Sequence, residues 1–436
     1  MFMSYEEALH WIHSRLKFGI KPGLIRMQKM MEKLGHPEKE IPIIHVGGTN
    51  GKGSTVAYLR SIFNEAGYSA GTFTSPYLET FNERISMDGT PISDQSMIDL
   101  VNRLKPIVEE LEETELGSPT EFEVITAMAF YYFGRIAPPD ILLLEVGLGG
   151  KWDSTNIIHP LLSIITTVGH DHMNILGNSI AEIAGEKAGI IKENAPVISG
   201  AENLEAALVI GEKALAENAP LYELNQEIII QEAAVQEDGE VFSVTTPFSA
   251  FKKMNIHMTG IHQMKNASLA VMAAELLNKD GIYELSEDHI RKGLQEAYWN
   301  GRFEIISEVP KIILDGAHNR EGVESLVNTL LRHYPDKKIR LLFAALEDKE
   351  YSLMVSQLEG VADHLYFASF DFPRAASAET LYKSSNHSRK LILPDWQHGI
   401  KKIAGEMKED ELFVITGSLY FISQVRKSLI EKNRLC

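Results

Sequence analysis

The run Gly47-Gly48-Thr49-Asn50-Gly51-Lys52-Gly53-Ser54 brings together what is needed to hold a phosphate group. Its glycines let the backbone come close, its N–H groups can converge on one oxyanion, and Lys52 adds a formal positive charge. The common phosphate loop places Ser or Thr directly after the lysine, whereas here Gly53 intervenes before Ser54. Three further clusters carry acids or histidines. Glu145 ends the apolar run Ile141-Leu142-Leu143-Leu144 and leads into Gly147-Leu148-Gly149-Gly150. Gly169-His170-Asp171-His172 follows a second apolar run, and Asp315-Gly316-Ala317-His318-Asn319 follows a third. Carboxylates beside a triphosphate are the ligands that a hard divalent cation such as Mg²⁺ accepts. Each cluster sits where a strand ends, which is where open α/β sheets bind ligands.

The elements that must position these groups are legible in the periodicity. Residues 5–17 and 24–34 have helical spacing, and 41–46 is a compact apolar strand that feeds the glycine loop. A helix over 54–66 stops at Gly67, and 68–74 is the next strand. A helix over 93–112 follows, then one opened by the capping box Thr120-x-x-Glu123. The strands 140–146 and 161–168 are almost wholly apolar, as in a parallel sheet covered on both faces. Ser179-x-x-Glu182 opens another capped helix. Residues 222–260 alternate and suggest an antiparallel addition before a helix over 262–277. At Trp299-Asn300-Gly301-Arg302 the pattern restarts, with a hairpin-like pair at 304–307 and 311–314, a helix over 322–333 and strands at 339–344 and 412–416. The expected class is α/β. A P-loop-type, mostly parallel sheet domain with helices on both faces spans 1–298, and a smaller C-terminal α/β domain spans 302–436.

Bulk properties narrow the partners. A chain of 436 residues exceeds what one hydrophobic core organises. With 42 Lys plus Arg against 60 Asp plus Glu, the net charge of −18 repels a phosphate backbone, so no nucleic-acid partner is expected. Cys436 is the only cysteine, which excludes an intrachain disulfide and fits a reducing compartment. Residues 1–16 lack a basic-then-apolar signal, and no later run has the length of a membrane span. A cytoplasmic monomer with no membrane partner is expected.

The inserted Gly53 carries a resemblance. Gly-Thr-Asn-Gly-Lys-Gly-Ser resembles the ATP loop of the folylpolyglutamate synthase/dihydrofolate synthase family, part of the wider Mur ligase group of amide-forming enzymes. Asp171-His172-x-x-x-Leu176-Gly177 and Glu182-Ile183-Ala184-x-Glu186-Lys187-Ala188-Gly189-Ile190 are similar to the family's run around a metal-binding histidine and a modified lysine. Asp315 to Asn319, Trp299 to Glu304 and Gly260-Ile261-His262-Gln263-x-x-Asn266 match its nucleotide-facing motifs, and the likeness extends from Ile43 to Tyr420. It implies ATP held by Thr49, Asn50, Gly51, Lys52, Gly53, Ser54, Asn266, Arg302 and Asp315. It also implies Mg²⁺, as two ions, on Ser75, Glu145, His172 and a carbamylated Lys187, with K⁺ as an additional candidate. Thr120, Phe122, Glu123, Trp152 and Asp153 match segments that contact the pterin, and Arg84 lies in the segment from Ser75 to Ile85 that matches the family's flexible loop, where it is expected to meet a substrate carboxylate. Lys52, Lys187 and His318 are the groups carried over as catalytic, His318 with no proton-transfer role assigned.

The implied reaction joins L-glutamate to folate, or to dihydropteroate, through an acyl phosphate, with closure of a cleft between the two domains. Local departures from the family pattern are Lys151, Gly185, Asn300 and Arg320. One rival is a Mur-type ligase for another amino acid or a muramyl acceptor. The other is a nucleotide-binding module without catalysis, for which Glu145, His172, Lys187 and Asp315 would all be superfluous.

Overall fold

The computed structural model describes residues 1–19, 21–236 and 238–433; Cys436 lies outside them. Eight strands form the first sheet: β1 (Ile43–Gly47), β2 (Ala70–Phe73), β3 (Ile85–Met87), β4 (Thr90–Pro91), β5 (Ile141–Glu145), β6 (Leu162–Ile165), β7 (Val197–Ser199) and β8 (Leu221–Glu223), in the order β4-β3-β2-β5-β1-β6-β7-β8. From β2 to β8 every neighbouring pair is parallel, while β3 and β4 extend the edge antiparallel. The parallel set therefore ends on one edge, at β8, and β5 and β1 are the middle two of the eight strands.

Helices cover both faces because the strands are apolar on both. Leu142 and Leu144 of β5 join one core with the buried faces of α1 (Tyr5–His13), α2 (Ile25–Leu34), α4 (Asp94–Glu112) and α5 (Glu121–Tyr131). The alternate residues Ile141 and Leu143 are equally buried and point the other way, where α3 (Lys52–Glu65) packs on β2 and β5. A second apolar cluster joins Val146 and Ile165 to α7 (Ile180–Ala188) and α8 (Leu204–Ala216), just beyond the four-residue α6 (Met173–Leu176). Three strands, β9 (Ile229–Gln236), β10 (Gly239–Thr245) and β11 (Ala250–Ile256), form a separate sheet in the order β11-β10-β9. Then follow α9 (Ile261–Lys279) and α10 (Glu287–Glu296). Gly293 of α10 sits so tightly on α3 that a Cβ there would lie 2.5 Å from the Ile62 Cα.

The C-terminal sheet contains β12 (Glu304–Glu308), β13 (Lys311–Leu314), β14 (Lys338–Phe343), β15 (His364–Phe367), β16 (Lys390–Ile392) and β17 (Glu411–Thr416), in the order β12-β13-β17-β14-β15-β16. Only the β12–β13 pair is antiparallel. Its helices are α11 (Arg320–His333), α12 (Tyr351–Glu359), α13 (Ala378–Lys383), α14 (Trp396–Glu406) and α15 (Leu419–Asn433). Phe343, Phe367, Leu341 and Val414 anchor the core on this sheet.

The chain divides into two compact units. The first comprises Met1–Glu232, Phe242–Asn255 and Lys265–Ala297; the second comprises Ala233–Val241, Ile256–Met264 and Tyr298–Cys436. Periodicity had no means of assigning the two short excursions around 233–264 to the C-terminal unit.

Candidate active site

β1 delivers the chain into the glycine loop, and the neighbouring strand end holds that loop in place. Gly48 has φ +141, and a Cβ there would lie 2.0 Å from Thr166 Oγ1. Thr166 Oγ1 donates to the Asn50 carbonyl at 2.6 Å. Asn50 N donates to Thr167 Oγ1 at 2.9 Å, and Gly169 N donates to Thr49 Oγ1 at 3.0 Å. These anchors just beyond β6 depend on β6 lying beside β1, which only the fold reveals. Gly51, at φ +90, forms the N-cap of α3, so the helix begins at Lys52, two residues before the sequence expectation, and Gly53 and Ser54 lie in its first turn. The first-turn N–H groups thus stand at the loop, where a helix N-terminus favours an anion. Lys52 Nζ donates to the carbonyls of Gly48 and Thr49 at 3.1 and 3.3 Å. The Asn266 side chain of α9 closes over Gly51, where a Cβ would sit 2.4 Å from its Oδ1.

On the other side of β1, Ser75 follows β2 and Glu145 ends β5. The Ser75 N–H donates to Glu145 Oε2 at 3.0 Å, which holds the Ser75 backbone against the buried carboxylate. His172 has φ +50 and caps α6, with its Nε2 3.8 Å from Asp171 Oδ1. Lys187 is 3% exposed. Burial, and then the charge of Lys52, lower its pKa to about 7, against the opposing pull of Asp171 and Glu186. A buried amine near neutrality is a different group from an exposed helical lysine. Its neighbour in the sequence, Glu182, is occupied elsewhere, accepting from Asn178 N and Ser179 N as a capping residue. Among the described residues no three His, Cys, Asp or Glu side chains form a metal cluster. The Ser75 hydroxyl and the Glu145 carboxylate are oxygen donors of the kind that Mg²⁺ accepts together with phosphate oxygens.

The residues matched to pterin contacts have local partners. Thr120 and Glu123 complete a capping box at α5, and Glu123 also accepts from Arg26 Nε at 2.8 Å. Phe122 lies 5.9 Å from the Phe73 ring and packs on Gly147, where a Cβ would be 2.4 Å from its Cζ. Asp153 is buried and accepts from Leu148 N, Thr155 N and Thr155 Oγ1, and burial raises its pKa. Trp152 is 49% exposed, with Lys151 Nζ 5.1 Å from its ring centre. The Arg84 guanidinium lies over Tyr77 and Phe81, at 5.3 and 5.4 Å.

The second unit carries Arg302, Asp315 and His318. Asp315 follows β13 and accepts from Phe303 N and Ala317 N, both at 2.9 Å; burial raises its pKa while the Arg302 charge opposes the rise. Gly316 leaves room for Arg302, whose Nη1 would lie 2.2 Å from a Cβ there. His318 Nδ1 is 2.8 Å from the Gly316 carbonyl, so Nδ1 carries the proton. The residues that sequence reasoning passed over are His45, Thr166, Thr167 and Glu186. A hydroxyl pair directly after a strand was the only available signal, for Thr166 and Thr167.

Comparison with known proteins adds to this geometry. The Mur ligase middle domain matches residues 46–274, and the Mur ligase glutamate ligase domain matches residues 301–419. The dihydrofolate synthase/folylpolyglutamate synthase of Bacillus subtilis is 51% identical over 429 residues, covering 98% of this chain and all of that one. The crystal structure of folylpolyglutamate synthase from Thermotoga maritima superposes with a TM-score of 0.86 at 33% identity, over 98% of this chain and 96% of that one. An FPGS–AMPPCP–folate complex superposes with a TM-score of 0.85 at 31% identity, over 98% and 100%.

Proposed function

Because the chain belongs to the folylpolyglutamate synthase/dihydrofolate synthase family, we propose that it works as a dual-acceptor ligase, extending folates by L-glutamate and also joining L-glutamate to dihydropteroate. ATP-dependent glutamate ligation to folate is the family activity. The observation that carries the second acceptor is the 51% identity, end to end, with a relative named for both activities.

In the first step an acceptor carboxylate oxygen attacks the γ-phosphorus of ATP, the bond to the bridging oxygen breaks, and ADP leaves. In the second step the glutamate amine attacks the acyl carbon. Phosphate departs with the C–O electron pair, and the amine loses a proton as the amide forms. Lys52 and the first-turn N–H groups of α3 are the groups we assign to the phosphates, stabilising charge as the phosphoryl group transfers. Asn266 is assigned to the nucleotide beside Gly51, and Arg302 and Asp315 are the further nucleotide contacts that the likeness to the family implies.

Mg²⁺ on Ser75, Glu145 and His172 would neutralise phosphate charge. The Lys187 amine, neutral above about pH 7, is suited to react with CO₂; the resulting carbamate would add a carboxylate at a second Mg²⁺ position. A need for ATP and a pI of about 5.3 are consistent with the cytoplasm, and among the described residues no helix is long and apolar enough to cross a membrane.

The test is phosphate release from ATP and glutamate with three acceptors: tetrahydrofolate, dihydropteroate and a nucleotide-linked muramyl peptide. Turnover with both pterins is expected. Turnover with tetrahydrofolate alone would remove the dual assignment, and turnover only with the muramyl acceptor would remove the folate one.

A further inference from the structure

His45 lies at the middle of β1, two residues before the glycine loop, and its ring is fully buried. In the sheet it is flanked by Leu144 of β5 and Ser163 of β6. Its Nε2 is 2.8 Å from Thr155 Oγ1. That hydroxyl gives its single proton to Asp153 Oδ1 at 2.5 Å, so towards His45 it can only accept, and Nε2 is the protonated nitrogen. Burial, and then the charge of Lys192, push the ring's pKa down to about 3, which keeps it neutral. Nδ1 is then a bare acceptor, buried and without a hydrogen-bond partner among the described residues. Such an atom weakens the fold, and a leucine at this position would not incur that cost.

The other end of the polar chain shows what it holds. Asp153 accepts from Leu148 N at 2.8 Å, in the turn that leaves Glu145. The same turn packs Gly147 under the Phe122 ring and Gly150 against the carbonyls of Glu186 and Lys187. Lys151 N donates to the Glu186 carbonyl at 2.7 Å. One turn therefore touches the proposed pterin ring contact and the backbone of the proposed carbamate lysine, and the buried His45–Thr155–Asp153 chain secures it from below.

We propose that His45 is a positioning residue for the acceptor side of the reaction, donating to Thr155 so that the Thr155 hydroxyl is aimed at Asp153 and the turn at 147–151 is fixed beneath Phe122. The proposal rests on the folate reading above. Its consequence is selective: the folate acceptor should lose its place while ATP, held by a loop that is anchored separately by Thr166, Thr167 and Gly169, keeps its own.

Three variants of the full chain test it. H45L removes the donor at similar bulk, T155V removes the hydroxyl at constant shape, and H45Q returns an amide N–H near the Nε2 position. H45L and T155V should each raise the KM for tetrahydrofolate about tenfold with the KM for ATP within about twofold, and H45Q should return to within about threefold of the parent. The double variant should be no worse than either single one, because both break one chain. H45L should melt no lower than the parent. An unchanged tetrahydrofolate KM in H45L and T155V, or tetrahydrofolate and ATP KM values rising together with a falling melting temperature, would overturn the proposal. Should H45L not fold, T155V alone decides, since it leaves the sheet untouched. A parent chain that turns over no pterin acceptor sinks the folate reading and this proposal with it. A parent that turns over normally while the variants keep its KM sinks this proposal only.

Discussion

Lys52 and Lys187 are two amines, one on the loop and one buried in α7, and the Lys52 charge adds to burial in lowering the Lys187 pKa. Removing the loop charge as Lys52→Ala should lower kcat/KM by about 10²–10³-fold, the usual loss when one preorganised charge-stabilising group is deleted; steady-state phosphate release measures it. Lys187 predicts a pH effect on stability. Its pKa is 10.5 in an unfolded chain and about 7 in the fold, so between those values the unfolded state holds the extra proton. Stability contributed by this group is therefore full above pH 10.5 and is lost as pH falls to about 7. In bicarbonate-free buffer, Lys187→Met should flatten the rise of the melting temperature across that window; an identical slope in parent and variant would contradict the burial argument. At this scale the sequence exposes residue types and hides what their atoms are already doing. Glu145, Asp315 and the loop lysine could be found because strand ends announce themselves. The Thr120–Glu123 cap could be read locally, but that Glu123 also accepts from Arg26, or that His45 begins a polar chain at Thr155, depends on neighbours about a hundred residues away along the chain.

Elements carry the next set of expectations. The capping box of α5 is worth about 1 kcal/mol at its Thr, so Thr120→Ala should destabilise the protein by about that much in urea titration. Gly48→Ala places a Cβ on Thr166 Oγ1 and should raise the KM for ATP at least about tenfold, as expected when an unfavourable φ is imposed on a loop that must approach phosphate. In the C-terminal unit, Glu240 is wholly buried and accepts from Gly260 N, His333 Nε2 and Arg332 Nη2. Burial raises its pKa, but the His333 and Arg332 contacts outweigh that and hold it below the ordinary value. The stability it supplies is therefore complete above the ordinary glutamate range and disappears as acid carries the pH through the lowered value. Glu240→Gln should cost about 3 kcal/mol, the lower end for breaking a buried pair, and calorimetry at neutral pH would show it. The long strands and capped helices were legible because several turns or alternations repeat a pattern. β7, β8 and β16 have three residues each, too few for any period, and β3 and β4 owe their place to the edge of β2 rather than to their own composition.

For the whole molecule, the order of strands matters more than their number. β1, at the centre, pairs with β5 and β6, which follow it by about a hundred residues, and this order alone brings the loop, Glu145 and the threonines after β6 to one edge. It could not be read locally, because each pairing is chosen by the collapsed chain and not by the strand itself. The same arrangement is repeated at the N-terminus, where α1 and α2 bury Ile12, Met27, Met30, Met31 and Leu34 against α4 and α5. That has a consequence for biosynthesis. A ribosome adding about 5–20 residues per second needs about 5–20 s to progress from α2 to the end of α5. Until α4 and α5 emerge, the methionine-rich stripe of α2 has no surface to cover it. The nascent chain thus carries this apolar stripe before the phosphate loop has β5 or β6 beside it, and its first helices, though made earliest, settle only after α4 and α5.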